Sequence, residues 1–179
     1  MSKLFEDKSR PLYGSAVPLR LGRLEDADIA PYVSGRFRET GRDAGEAVQP
    51  LLNAARGHPQ RVIHLAHRLW EEVAPGDAAT FEQWEAAHDA ALQELRHEFT
   101  ASWRGLGTAE QKTLRAIIAG DGSPMRASVL RQLEIEKSTL FYALQRLADT
   151  AEIESTDKRW AIVDPLFEEW IRRLQAPAA

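Results

Sequence analysis

Apolar positions along this chain recur mostly at three- and four-residue intervals, the period of a helix with one buried face. Ile29, Val33 and Phe37 share such a face behind a start at Glu25 or Asp26, with Pro31 tolerable only in the first turn and Gly41 as the stop. A second helix covers about 43–55 with Ala47, Val48, Leu51 and Leu52, its early part disturbed by Pro50. Gly57 breaks the chain and Pro59 opens a third helix, along which Val62, Leu65, Ala66 and Leu69 repeat. After the "APGD" turn, Thr80 caps a long helix carrying Phe81, Trp84, Ala87, Ala91, Leu95 and Phe99 to Trp103, and "GLG" (105–107) ends it.

The rhythm then changes. "TAEQ" (Thr108 to Gln111) reads as a capping box opening a helix with Leu114, Ile117 and Ile118, which "GDGSP" stops. A short helix with Val129 and Leu130 follows, then a longer one from Ser138 with Leu140, Ala143, Leu144 and Leu147. "EIESTDKRWAIVDP" reads as a β-hairpin, with Ile153 on one arm and Trp160 and Ile162 on the other. Asp164 caps a closing helix with Pro165 at its first position, burying Phe167, Trp170, Ile171 and Leu174. Three helices and then a hairpin is the order of a winged helix-turn-helix domain. The expected organisation is an irregular lead-in over 1–17, a helical bundle with its connecting helix over 18–104, and a winged helix over 105–176. "VPLRLGRL" (17–24) alternates apolar and basic residues, so it is a short strand or extended segment at best.

Composition narrows the chemistry. With 179 residues and 44% hydrophobic content, the chain can bury one or two small cores. A net charge of -4 advertises neither nucleic acid nor an anionic membrane. The absence of cysteine excludes disulfides, thiolate zinc sites and cysteine nucleophiles. "MSKLFEDKSR" lacks the apolar core of a signal peptide, and no apolar run approaches the roughly 20 residues of a membrane span, so a cytoplasmic protein is expected. His64, His67 and Glu71 share a helix face at a spacing that can hold zinc, but they flank the apolar stripe and read as core-bordering residues. Glu82, Glu85, Asp89, Glu94 and Glu98 line the long helix beside Arg96 and Arg104 and read as a solvated face. No serine or threonine sits in a nucleophile elbow, so neither a catalytic residue nor a metal site is expected.

"GHPQR" (57–61) within a helical bundle, followed by a winged helix, resembles the C-terminal half of AAA+ ATPases of the origin-recognition and STAND-like group. "LFEDKSRPLYGSAVPLRLGRLEDADIAPYVSGRF" is similar to the family segment leading into the lid, and "DPLFEEWIRR" to the end of its winged helix. The resemblance covers nearly the whole chain and implies a mainly α fold: an AAA+ lid-type bundle, then a winged helix with a small hairpin wing. The departure is large. There is no G-x-x-x-x-G-K-[ST], no glycine precedes a lysine, and no apolar strand ends in an acidic pair. The phosphate cradle is therefore missing from this chain, and an excised fragment and a naturally shortened paralogue both fit. ATP and magnesium are implied for a full-length member, none for this chain alone, which is not expected to hydrolyse ATP by itself. The implied partners are a nucleotide-binding core or a neighbouring subunit, in a homo-oligomer.

The resemblance also implies a role for Arg61, which matches the sensor-2 arginine that reaches the γ-phosphate from a lid-helix N-terminus. Physics agrees: Gly57 permits close approach, Pro59 opens the helix without leaving a donor unused, and a helix N-terminus favours an anion. This reading expects Arg61 to be exposed and aimed away from its own core. The plain alternative is a solvated arginine beside an ordinary turn. In the winged helix, Lys137, Ser138, Thr139, Tyr142, Gln145 and Arg146 are candidate exposed positions of a recognition helix, with Lys158 and Arg159 at or just beyond the wing tip. Against DNA stand Glu134 and Glu136, and the ten basic and eleven acidic residues between 107 and 175. Weak binding to duplex DNA and binding to a protein partner are both compatible with this surface. Rival readings are a stand-alone dimeric winged-helix regulator of DNA and a protein-interaction scaffold.

Overall fold

A computed structural model describes residues 22–175. The expected lead-in over 1–17, and all but the last three residues of the 17–24 segment, lie outside the described residues. Gly22, Arg23 and Leu24 form no regular strand. Eight α-helices and one hairpin follow among the described residues.

The first four helices pack together as a bundle. They are α1 (Asp26–Glu39), α2 (Val48–Ala55, preceded by a 3-10 turn at Gly45–Ala47), α3 (Pro59–Glu72) and α4 (Phe81–Gly105). Their buried stripes largely follow the sequence pattern: Ile29, Val33 and Phe37; Ala47, Leu51 and Leu52, joined by Ala55; Val62, Leu65 and Leu69; Trp84, Ala87, Ala91, Leu95 and Phe99. Val48 and Ala66 are only half-buried, and Phe81, at the first position of α4, is 51% exposed. Two local details differ from expectation. Pro31 lies in the second turn of α1, where its missing N–H removes one backbone bond on an exposed side of the helix. Glu25 precedes α1 without any side-chain cap. Thr80 does cap α4 reciprocally: its hydroxyl accepts from the Gln83 N–H at 3.2 Å, and its N–H donates to Gln83 Oε1 at 2.9 Å.

Beyond the Gly105–Gly107 interruption come α5 (Thr108–Ala119), α6 (Ala127–Gln132) and α7 (Lys137–Asp149). The box expected at Thr108 and Gln111 does not form; only its N3 half is present, one residue earlier. Gly107 is the N-cap and donates its N–H to Glu110 Oε2 at 2.7 Å, while Gln111 instead donates to the carbonyls of Trp103 and Leu106. The hairpin pairs β1 (Ile153–Thr156) with β2 (Arg159–Ile162), Ile153 opposite Ile162 and Thr156 opposite Arg159. Asp157 and Lys158 form its tip with φ of 51° and 65°, the doubly left-handed conformation of a two-residue turn that matches strand twist.

The closing helix α8 (Pro165–Gln175) returns to the bundle, packing on α2 and α4 on one side and on α5 and β2 on the other. Leu166, Phe167 and Ile171 are buried, and Phe167 meets Phe99 at 5.3 Å and Trp170 at 5.8 Å between ring centroids. Trp170 in turn lies edge-on to Trp103 at 6.3 Å. The buried apolar residues of both halves thereby form one continuous cluster.

Candidate functional site

The start of α3 is built by backbone constraints. Arg56 ends α2 in a left-handed conformation, its N–H bound to the Leu52 carbonyl at 2.8 Å, and Gly57 continues left-handed with φ of 71°. Gly57 also lies against the incoming chain: its carbonyl accepts from the Leu24 N–H at 2.9 Å, and a Cβ there would collide with the Leu24 carbonyl oxygen. His58 caps α3, with Nδ1 facing the Arg61 N–H at a long 3.4 Å, and Pro59 takes the first helical position. Burial pulls the His58 imidazole below its ordinary range; Asp164 opposes this, while Arg23 and Arg61 reinforce it. A neutral ring keeps Nδ1 free to accept.

Arg61 is not exposed. Its side chain retains 4% of its accessible surface, and its guanidinium grips Asp164 of the α8 N-terminus. Nε lies 3.0 Å from both carboxylate oxygens, and Nη2 pairs closely with Oδ2. The plane sits over the Phe99 ring at 5.5 Å, with Glu98 Oε1 at 3.8 Å from Nη2. Asp164 serves two helices at once, because its Oδ1 also accepts from the Leu166 and Phe167 N–H groups at 3.0 and 3.3 Å. The expected solvent-facing arginine is thus corrected: an acceptor within the same chain, 103 positions away, occupies its donors.

Other ion pairs tie the same two regions together. Arg23 donates to Glu154 at 2.7 Å and to the Val163 carbonyl at 2.6 Å, and Arg56 pairs with Glu168 at 2.8 Å. Arg173 reaches Asp89 at 2.9 Å, and His88 lies 3.0 Å from Glu169. Burial pushes the Glu152 carboxyl up, and neighbouring Asp164 adds to the effect. The start of α8 is therefore rich in carboxylates, and the bundle supplies the arginines that balance them.

The second candidate surface comprises α7 and the hairpin. Lys137, Ser138, Thr139, Tyr142, Gln145 and Arg146 are all exposed on α7, and Lys158 and Arg159 are exposed on the hairpin. Two of these cations are already paired. Arg146 lies 3.2 Å from Glu110, and Arg159 holds Asp121 through both its carboxylate and its carbonyl, the latter at 2.6 Å. Lys137 and Lys158 make no ion pair among the described residues. Sequence reasoning passed over Phe141, which is 49% exposed beside Tyr142 at 65%, in a shallow depression with Met125 and Lys137. An apolar position one residue past the buried Leu140 was the available signal.

The remaining titratable clusters are internally satisfied. His64 Nε2 faces Glu94 at 2.8 Å, Arg68 bridges Glu94 and Glu71, and His67 stacks near Trp70. No group of metal-ligating residues occurs among the described residues, and no described helix is long and apolar enough to cross a membrane.

The fold is similar to that of a Walker-type ATPase. The solved structure is the Walker-type ATPase PABY2304 of Pyrococcus abyssi, superposing with a TM-score of 0.67 at 20% sequence identity. The match covers 93% of this chain and 47% of that one, so the chain spans just under half the length of its structural neighbour. Neither a protein-family model nor a curated protein matches the chain.

Proposed function

We propose that the chain is the C-terminal regulatory part of an AAA+ ATP-binding protein, with a helical lid over about 18–104 and a winged helix over about 105–176. The observation that carries this reading is the similarity of nearly the whole chain to part of a Walker-type ATPase, together with the absence of a P-loop from its sequence. The chain then works with a nucleotide-binding core, on a neighbouring segment or subunit of an oligomer, and ATP and magnesium belong to that core. Arg61 reaches a γ-phosphate in this reading only by releasing Asp164, so nucleotide contact and the seating of α8 compete for one guanidinium. That competition is a physical route from the nucleotide to the winged helix, because Asp164 caps the helix that closes it.

The winged helix engages a partner through α7 and the hairpin. Duplex DNA is one candidate. The pairing of Arg146 with Glu110 and of Arg159 with Asp121, beside exposed Phe141 and Tyr142, favours a protein partner. The test has two arms. Titration of the chain alone with Mg-ATP should give no saturable heat, and saturable low-micromolar binding would refute the division of labour. Addition of the P-loop core encoded with it should give hydrolysis whose rate changes with the chain present; an unchanged rate would refute a regulatory role.

A further inference from the structure

The outer face of α1 carries a charge pattern centred on an exposed aromatic ring. Asp28, Tyr32 and Arg36 stand four residues apart on that face, and each lines an apolar groove between α1 and α3. One end of the groove is a cleft of about 420 Å3 walled by Phe37, Ala66 and Trp70, and the other is a cleft of about 360 Å3 that runs to Leu24. Tyr32 and Ile63 line both clefts and are each 54% exposed. Contiguous apolar surface of this kind marks a site that something covers. Gly35 has nothing within 4 Å of where a Cβ would stand, so the helix surface beside Tyr32 is low and open. Asp28 has no ion-pair partner among the described residues, and Arg36 holds exposed Glu39, three residues on, at 2.6 Å.

We propose that a second copy of this chain covers the groove, with the two α1 helices packed antiparallel about a two-fold axis at Tyr32. The inference rests on this surface alone and stands independently of the ATPase reading. In an antiparallel pair centred on residue 32, position 28 of each helix lies opposite position 36 of the other, so the symmetry makes two Asp28–Arg36 pairs at once. A parallel pair would instead set Asp28 against Asp28 and Arg36 against Arg36, which repels. Each Tyr32 passes beside the axis toward the partner's Ile63, ~6 Å along the helix from either charge pair. The result is an aromatic centre inside a charged rim, the anatomy of a protein interface. The Arg36–Glu39 pair is solvent-exposed on both sides, so exchanging it for a partner's carboxylate costs little. Glu25 and Glu39, seven positions either side of Tyr32, also oppose each other in this register. Helices crossing at the common ~50° have diverged there past the ~8 Å over which salt screens charge. One helix face and one groove bury an area near or below the ~1,200 Å2 at the small end of stable dimers, so the association is weak, in the micromolar range.

Sedimentation of the full chain should show reversible dimers whose fraction rises from low to high micromolar concentration. Because each change acts twice across the axis, Asp28→Arg and Arg36→Asp should each weaken dimerisation at least about tenfold. Mixed together, these two variants should dimerise with each other about as well as wild type, since every facing pair is then again one acid and one base. Tyr32→Ala should weaken the dimer with both charges intact. Circular dichroism of each variant checks that the fold persists, as expected at exposed positions. A wild-type chain that stays monomeric at several hundred micromolar would overturn the proposal, leaving the groove to a different protein or to the residues before Gly22. Self-association untouched by either charge reversal, or a mixture no tighter than its components, would overturn it too, by placing the contact elsewhere or in another register.

Discussion

Removing one partner of the Arg61–Asp164 pair should unfasten α8 from the bundle, and the two deletions should differ. In Arg61→Ala, Asp164 keeps its two backbone donors and is 22% exposed, so water can partly replace the guanidinium. Breaking a buried pair from one side costs ~3–5 kcal/mol, and this solvation puts Arg61→Ala near ~3. In Asp164→Ala the stranded group is a guanidinium with 4% exposure whose remaining carboxylate, Glu98, lies 3.8 Å away. That change takes the full ~3–5 kcal/mol and adds the loss of a helix cap, ~1 kcal/mol. Asp164→Ala should therefore destabilise more than Arg61→Ala, and Asp164→Asn, which can still cap α8, should fall between wild type and Asp164→Ala.

Urea melts followed by helix circular dichroism and by tryptophan fluorescence measure these differences. For a domain of this size, ~3 kcal/mol corresponds to roughly 6–12 °C in Tm. Replacing both partners by Arg61→Leu and Asp164→Asn should recover part of the loss, since two groups that no longer need each other leave no buried charge unpaired. An Arg61→Ala protein within about ±0.5 kcal/mol of wild type, the range of surface changes, would refute the clamp. It would mean that the guanidinium is free for another anion.

Gly57→Ala should destabilise by about 2 kcal/mol or more, because both the left-handed backbone and the Leu24 carbonyl exclude a methyl group; the urea midpoint measures this, and an unchanged midpoint would contradict the packing at the α3 start. Stability should fall on acidification: Arg68, then His64, holds the Glu94 carboxyl at about 2 against an ordinary 4.5, so its favourable contribution is complete above 4.5 and is lost as pH drops toward 2. Burial pushes Glu169 up, but His88 and Arg173 outweigh it and hold it below its ordinary range, giving the same sign; Glu152, which burial raises, opposes them, and a rise in the denaturation midpoint on acidification would contradict the dominance of Glu94 and Glu169. Binding to a random duplex, read by fluorescence anisotropy, should be weak and fade near physiological salt, with a log-log slope no steeper than roughly -4 to -5. Lys158→Glu should abolish it while preserving the fold, since Arg159 and not Lys158 anchors the hairpin to Asp121; tight binding at physiological salt would refute the claim.

What the sequence made legible is what depends on neighbours in sequence. Most of the buried stripes of α1 through α5, the two arms of the hairpin carrying Ile153 and Ile162, and the caps at Thr80 and Asp164 follow from side chains within a turn or a strand pair of one another. The position of Pro31 was not legible, because a local proline penalty says nothing of tertiary packing, and the packed face of Ile29, Val33 and Phe37 carries α1 through it. Arg61 shows the limit most clearly. Gly57, Pro59 and a helix start are sound reasons to expect an anion beside this arginine, and an anion is there. Local physics specifies the charge of the partner but not its source: a phosphate from another domain and a carboxylate from residue 164 satisfy the same donors. Only the path of the chain, which brings α8 back over α4, supplies the second answer. The same pair makes the two sources rivals. A phosphate able to win Arg61 must do so against a carboxylate already held by two bonds of 3.0 Å and sheltered by Phe99, so any sensing at this position acts through the displacement of α8.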